Sequence, residues 1–424
     1  MIEIRDLQRY DAVKNQYKEA VIINPIMTGG IVPKETQEKL IKEGWLNIGY
    51  SICLNCLKGQ SNLISKPPVK DFLANVAEFL GGDVAQHTFG CRAAQFAVMK
   101  TIGDYVRSKG KKDYVNIVLA DSLCHYTTAI AAEVAGLKLV EAPHSGYPEY
   151  KITEDSYLQK IEEIKGKTGK LPGLLAVTHV DPYYGNLNPA KEVGKIAEEY
   201  EIPYMVNAAY TTGVMPLNMK DLHADFITVS AHKSMASLGP LGFLVTNYEW
   251  AKRVFEISRV TTDWSGRTFG NKIPSIFGCS IGGIALISAM YSFRHVVDRV
   301  NKWEEELVKT RWFIREMEGL SDVMLLGEHP HNHHLLHFET PIFWEISKRH
   351  KRRGFFLAEE MIKRGIVGLH RGLSKHIKLS LYGLGWSDVK RVRDAFFEIA
   401  EKYVKEFKLD YSLNTNKNVK DDSE

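Results

Sequence analysis

Between Tyr114 and Val245 the chain alternates short, apolar, β-branched runs with stretches of helical spacing. Strands are expected at Tyr114–Leu119, Leu137–Glu141, Leu174–Thr178, Pro203–Val206, Phe226–Val229 and Leu241–Val245, with helices over Leu123–Ala135 and Pro189–Tyr200. A strand that returns through a helix lies parallel to its predecessor, and its two apolar faces need helices on both sides. The fold class is therefore α/β, with a large, mainly parallel sheet. From about Asp298 the pattern changes. A long charged helix, Val300–Met317, precedes strand-like Val323–Leu326 and Leu335–Phe338, a helix near Phe355–Arg364 and strand-like Ile377–Leu381. This reads as a smaller C-terminal α+β domain. The expected organisation is an N-terminal helix and CxxC segment over 1–65, a large domain over 66–297, the small domain over 298–410 and a polar tail over 411–424, with residues 1–20 as a charged amphipathic helix.

A chain of 424 residues, 44% of them hydrophobic, can bury two or three cores. It has no run of about 18 apolar residues, and its charged N-terminus lacks the apolar stretch of a signal peptide. A cytoplasmic protein that does not enter the membrane is expected. The net charge of +4 permits a polyanionic partner without demanding one. The 5 cysteines suit a reducing compartment.

Four segments carry candidate chemistry. In ADFITVSAHKSMASLGPLGFLV, Lys233 stands at the mouth of two apolar strands, where open α/β sheets bind ligands. An amine desolvated there becomes a nucleophile able to form a Schiff base with an aldehyde cofactor, of which pyridoxal phosphate is the common one. Gln86–Arg92 (QHTFGCR) leads into a helical run. Its small residues and free amides make a seat for phosphate, to which Arg92 adds a fork of donors. Asp121–Tyr126 (DSLCHY) follows a strand and offers His125 to lie over an aromatic ring or donate protons. Pro203–Tyr210 (PYMVNAAY) is a strand running into Asn207, a polar partner of the kind a pyridine nitrogen needs.

In this order the four segments resemble the fold-type-I pyridoxal-phosphate enzymes, which are aspartate aminotransferase-like. Within them the chain is similar to the archaeal O-phosphoseryl-tRNA:cysteinyl-tRNA synthase family. The similarity runs roughly from Ile22 to Glu401 through IINPIMTGGIVP, GYSICLNC, HTFGCRAAQFAVM, DSLCHYTTAIAAEVAG, THVDPYYGNLNP, VNAAYTTGVMP, VSAHKSMA and FGCSIGG. It implies a seven-stranded-type large sheet and pyridoxal 5′-phosphate linked to Lys233. Cys91 and Arg92 would lie at the cofactor phosphate, Asn207 at the pyridine nitrogen, Ser230, Ala231 and His232 along the phosphate side, and His125 over the ring. Arg92, His125 and Tyr126 are the implied contacts of the substrate phosphate. The chain departs from the family at Cys91, where the pattern has alanine. Asn207 cannot supply the charge of the aspartate that most fold-type-I enzymes use. The ring is then a weaker electron sink, which suffices when phosphate leaves from the β-carbon.

Cys53 and Cys56 form a single CxxC, with Cys279 far along the chain in FGCSIGG. A zinc ribbon needs a second such pair. Three thiols brought together hold an iron–sulfur cluster, or carry and release a persulfide. The resembling family uses cysteines at these motif positions for sulfur handling, and in a homodimer the pair would face the other subunit's cofactor. Cys91 and Cys124 match no sulfur role. The run HPHNHHLLH (His329 to His337) leads into a strand and is a candidate loop at RNA. The basic run Lys348–Arg353 is either a solvated helix face or a phosphate-backbone contact.

The implied reaction is conversion of O-phosphoseryl-tRNA(Cys) to cysteinyl-tRNA(Cys), by elimination of phosphate and addition of sulfur from an undetermined donor. Phosphoseryl-tRNA synthetase is the implied partner protein. Two alternatives are a cysteine desulfurase or selenocysteine lyase-like enzyme acting on a free amino acid, and a tRNA-binding scaffold that keeps the fold.

Overall fold

The computed structural model describes residues 19–25, 30–47, 49–61, 65–108, 113–256, 261–268 and 281–411. The expected helix over residues 1–20 lies almost wholly outside them, as do the tail from residue 412 and Cys279. The chain forms two compact units, one of residues 26–307 with 327–333, the other of residues 1–25, 308–326 and 334–424.

The larger unit is built on a seven-stranded sheet. Its strands are β1 (Val84–Thr88), β2 (Tyr114–Asp121), β3 (Lys138–Ala142), β4 (Leu171–Thr178), β5 (Tyr204–Asn207), β6 (Phe226–Ser230) and β7 (Gly242–Thr246), in spatial order β1-β7-β6-β5-β4-β2-β3. All neighbours are parallel except β7, which runs antiparallel to both β1 and β6. Every residue of β5, β6 and β7 is buried, as expected of strands covered on both faces, and that is why they read as unbroken apolar runs. Two apolar clusters cover the faces, one including Phe72, Val206, Val229 and Phe243, the other Val98, Met205, Phe226 and Leu244.

The register sets the site. Thr178 pairs with Asn207, Asn207 with Thr228, Ser230 with Gly242, and Gly242 with Thr88. The strand ends that carry the candidate residues therefore line one edge of the sheet. Gly242 makes this approach possible, since a Cβ there would stand 2.7 Å from the Gly90 Cα. The sequence reading did not include β1, because its centre is Gln86-His87 rather than an apolar run. The expected helix Val300–Met317 is the observed helix Trp303–Met317, starting three residues later because Val300 ends the preceding helix, Gly283–Val300. The chain turns at Asn301 and Lys302, where Lys302 N–H bonds the Arg299 carbonyl.

The smaller unit has an antiparallel three-stranded sheet, Met324–Leu325, Leu335–Glu339 and His376–Ser380. Helices Pro341–Arg349, Phe356–Lys363 and Trp386–Phe407 accompany it. Phe313, Phe338, Phe343 and Phe396 are fully buried in its core. Among the described residues no helix is long and apolar enough to cross a membrane.

Candidate active site

A cavity of about 490 Å³ opens at this edge of the sheet. Phe89, Gly90, Cys91, Arg92, His125, Thr127, Thr178, Asn207, Tyr210, Ser230, His232 and Lys233 are among its walls. The order read along the chain thus becomes one place in space. Ala231 is fully buried behind the wall and does not line the cavity. Tyr126 does not line it either, but its hydroxyl accepts a 2.7 Å hydrogen bond from Arg92 Nη2.

Lys233 lies in the short helix Ala231–Ser234 that β6 runs into. Its Nζ sits 3.6 Å from the centre of the Tyr210 ring, a cation–π contact that fixes the amine within the pocket. Tyr210 is held in turn from its backbone, because the carbonyl accepts a 3.0 Å hydrogen bond from His333 Nε2. Burial pushes the His333 imidazole down to about 3, so this member of the histidine-rich run is a neutral packing link.

On one side of Lys233 the helix α1 (Cys91–Arg107) begins at Gly90, whose φ of 86° lies in the left-handed region. The first amides of α1 have no partner within the helix, and at that end Gly90, Cys91 and Arg92 line the cavity. On the other side Asn207 ends β5. Its Oδ1 accepts from the Ala209 backbone N–H at 3.1 Å and from the Cys91 thiol at 3.2 Å. Burial pushes the Cys91 thiol up to about 11, which keeps the proton that makes it a donor. With its oxygen occupied, Asn207 has only its NH2 group to offer the cavity.

His125 caps the helix α2 (Tyr126–Val134), its Nδ1 accepting from the Thr127 N–H and lying 2.9 Å from the Thr127 hydroxyl. That places the ring proton of neutral His125 on Nε2. His232 Nδ1 lies 3.1 Å from the Leu241 carbonyl, and burial, reinforced by the Lys233 charge, lowers its pKa.

Gln95, Thr228 and Tyr210 also shape the site and were missed from sequence. Gln95 is one α1 turn past Cys91; its Nε2 lies 3.7 Å from Cys91 Sγ, and its Oε1 accepts from the Thr127 and Thr128 hydroxyls. Thr228 Oγ1 lies 3.3 Å from Cys91 Sγ. The i, i+4 spacing of a polar residue behind Cys91 was the available signal for Gln95.

Neither Cys53 nor Cys56 lines this cavity. Cys53 precedes the one-turn helix Leu54–Leu57 and Cys56 lies within it. Burial raises the Cys53 thiol, but hydrogen bonds from the Cys56 and Asn55 backbone and from the Cys56 thiol outweigh it, and the net shift is downward. Cys56 is buried, with Sγ 3.3 Å from the Tyr50 hydroxyl. Cys279 lies outside the described residues. The strand that follows it, Ile281–Gly282, pairs antiparallel with Ser51–Ile52, which leads into Cys53. Among the described residues no group of three or more His, Cys, Asp or Glu is placed to hold a metal ion. Cys124 is a half-buried thiol, raised by burial and by Asp121.

Compared with known families, residues 71–417 match the one described as O-phosphoseryl-tRNA(Sec) selenium transferase, SepSecS. The chain belongs to this family. SepSecS family relatives include O-phospho-L-seryl-tRNA:Cys-tRNA synthase 2 of Archaeoglobus fulgidus, 45% identical over 387 residues, 91% of this chain and 95% of that protein. The O-phospho-L-seryl-tRNA:Cys-tRNA synthase of Methanocaldococcus jannaschii is 43% identical over 388 residues, 91% of this chain and 96% of that protein. Among solved structures, the SepCysS–SepCysE N-terminal domain complex contains a chain that superposes with a TM-score of 0.81 at 42% identity, covering 94% of this chain and 99% of that one. An apo cysteine desulfurase of Thermococcus onnurineus NA1 shares the fold, with a TM-score of 0.70 at 18% identity over 95% of this chain and 100% of that one.

Proposed function

We propose that this chain is a pyridoxal-phosphate-dependent transferase that converts O-phosphoseryl-tRNA(Cys) to cysteinyl-tRNA(Cys). The observation that carries the reading is the placement of Lys233 against Tyr210, in a cavity bounded by the start of α1 and the amide of Asn207. Relatives named O-phospho-L-seryl-tRNA:Cys-tRNA synthase, matching over nine-tenths of the chain, support the same substrate.

The residues fit the cofactor. Lys233 would take its aldehyde. The amides opening α1, with Ser230 and His232, would hold its phosphate, and His125 would cover its ring. Asn207 offers a donor, so a pyridine nitrogen placed there must be the acceptor and carry no proton. When bound, the cofactor draws electrons from the α-carbon of the amino acid attached to it.

The chain's own residues supply the rest. Lys233 Nζ moves the α-proton of the phosphoseryl residue. Arg92 and the Tyr126 hydroxyl, already joined at 2.7 Å, form a cationic seat for the leaving phosphate, and His125 Nε2–H adds a donor. The ester to tRNA removes the substrate's carboxylate charge, so no second arginine clamp is needed. Cys53, with its lowered pKa, takes sulfane sulfur from a persulfide donor and carries it as a persulfide. Attack of the Cys56 thiol on Cys53 Sγ frees the outer sulfur as sulfide and leaves a Cys53–Cys56 disulfide, which a thiol reductant returns to two thiols. Cys279 completes this set, serving as a further sulfur carrier or as the third ligand of an iron–sulfur cluster. Because the CxxC pair is not in the cavity wall, it serves the cavity of a second copy in a homodimer. A phosphoseryl-tRNA synthetase supplies the substrate in the cytoplasm.

The deciding experiment incubates the cofactor-loaded protein with phosphoseryl-tRNA(Cys) and a sulfide donor, then hydrolyses the ester and identifies the released amino acid by mass. Cysteine is the expected product. Unchanged phosphoserine, or free cysteine consumed instead, refutes the reading.

A further inference from the structure

In the smaller unit two turns touch. A Cβ on Gly354 would overlap the Gly372 carbonyl, and the Phe355 ring lies 3.7 Å from the position of a Cβ on Gly372. Together the turns expose Phe355 at 49% and Leu373 at 50%, ringed by exposed Lys351, Arg353 and Arg371.

The basic run around them divides by pairing. Lys348 and Arg349 bind Glu345, and Arg352 grips Glu359 with Nε 3.0 Å from each carboxylate oxygen. Lys375 pairs with Glu339 at 3.7 Å. Lys351, Arg353 and Arg371 have no ion-pair partner among the described residues. Arg353 also holds a φ of 47°, in the left-handed region where a side chain is sterically disfavoured and glycine fits. A bare surface turn has no use for an arginine there. Unpaired cations around an exposed aromatic ring match a nucleic-acid strand, whose phosphates meet the charges while a base stacks on the ring. An acidic protein surface would use the charges but not the stacking platform.

We propose that the turns Lys351–Phe355 and Arg371–Leu373 form a contact surface for the tRNA backbone, with Lys351, Arg353 and Arg371 on phosphates and Phe355 under an unstacked base. This rests on the reading that the substrate is a tRNA.

The test measures binding of a tRNA(Cys) transcript to the cofactor-loaded enzyme between about 50 and 200 mM salt. The variant combines Arg353→Gly with Lys351→Gln and Arg371→Gln. The slope of log affinity against log salt should fall by about one per lost phosphate contact, and binding should weaken about tenfold or more at the higher salt. KM for phosphoseryl-tRNA should rise while kcat at saturating RNA stays. Arg353→Gly alone should weaken binding without lowering the unfolding midpoint, because glycine relieves the left-handed backbone; a structural role for Arg353 predicts the reverse. An unchanged slope sinks this surface while leaving the functional reading intact. So does intact RNA binding with lost capture of an acidic partner protein. An unaltered enzyme that binds no tRNA overturns both.

Discussion

Asp121 ends β2 and is fully buried. Its Oδ2 accepts a 2.7 Å hydrogen bond from the backbone N–H of Thr178, a cavity-lining residue, while Oδ1 has no partner. Burial pushes the carboxyl up from its ordinary value of 3.8 to about 7, the Thr178 hydrogen bond only partly offsetting it. In the folded chain the acid therefore keeps a proton that the unfolded chain releases near pH 4. Stability from this group is complete below about pH 4 and is lost as pH rises through about 7. A displacement from 3.8 to about 7 corresponds to about 4 kcal/mol of lost stability at pH 8. Asp121→Asn keeps an oxygen for the Thr178 N–H and puts an uncharged NH2 where Oδ1 was. The variant should match the unaltered chain near pH 4, then gain about 1.4 kcal/mol per pH unit until the advantage levels off above about pH 7. Urea unfolding of both proteins at pH 4.5, 6 and 8, followed by far-ultraviolet circular dichroism, measures this directly. A difference independent of pH, or an asparagine variant that loses ground at pH 8, refutes the assignment of a desolvated acid at 121.

Lys233→Ala should abolish both the visible absorption of the cofactor-loaded protein and its fixation to the chain by borohydride; a label that persists on another residue would remove Lys233 from its role. Asn207→Asp should protonate the pyridine nitrogen and raise side transamination, read as accumulation of pyridoxamine phosphate, and unchanged side products would count against the donor amide. At pH 7 iodoacetamide should alkylate Cys53 several-fold faster than Cys56, followed by peptide mass mapping; equal rates would contradict the hydrogen bonding that lowers Cys53. Mixing Lys233→Ala chains with Cys53→Ser, Cys56→Ser chains should restore cysteinyl-tRNA formation through hybrid dimers, and mixtures as inactive as their components would place the thiols in the wrong subunit.

What could be read along the chain and what could not divide on physical grounds. Strands β4 to β7, and β2 over Val118–Asp121, are buried, so their apolar runs identify them without tertiary knowledge, while the edge strand β3 was read from its β-branched and apolar residues although most of it is open to solvent. The residues that follow those strands, His125, Asn207 and Lys233, were legible because a parallel sheet gathers its strand ends at one edge, whatever the loop lengths. Strand β1 escaped because it contributes register rather than an apolar run: Thr88 comes level with Gly242 and Ser230 only through pairing with a strand far along the chain. The same distinction separates the charges of the basic run, since only the fold shows that Arg352 is occupied by Glu359 while Arg353 is not. Cys91 makes the point most sharply. On sequence it is a departure from a family alanine with no assigned chemistry. In the fold, burial keeps its thiol protonated and aims it at the Asn207 oxygen. Together with the Ala209 amide, that thiol determines which end of the asparagine faces the cavity. A replacement that looks neutral by size therefore bears on the protonation of whatever base the asparagine meets. Only the contact between residues 91 and 207 carries that information.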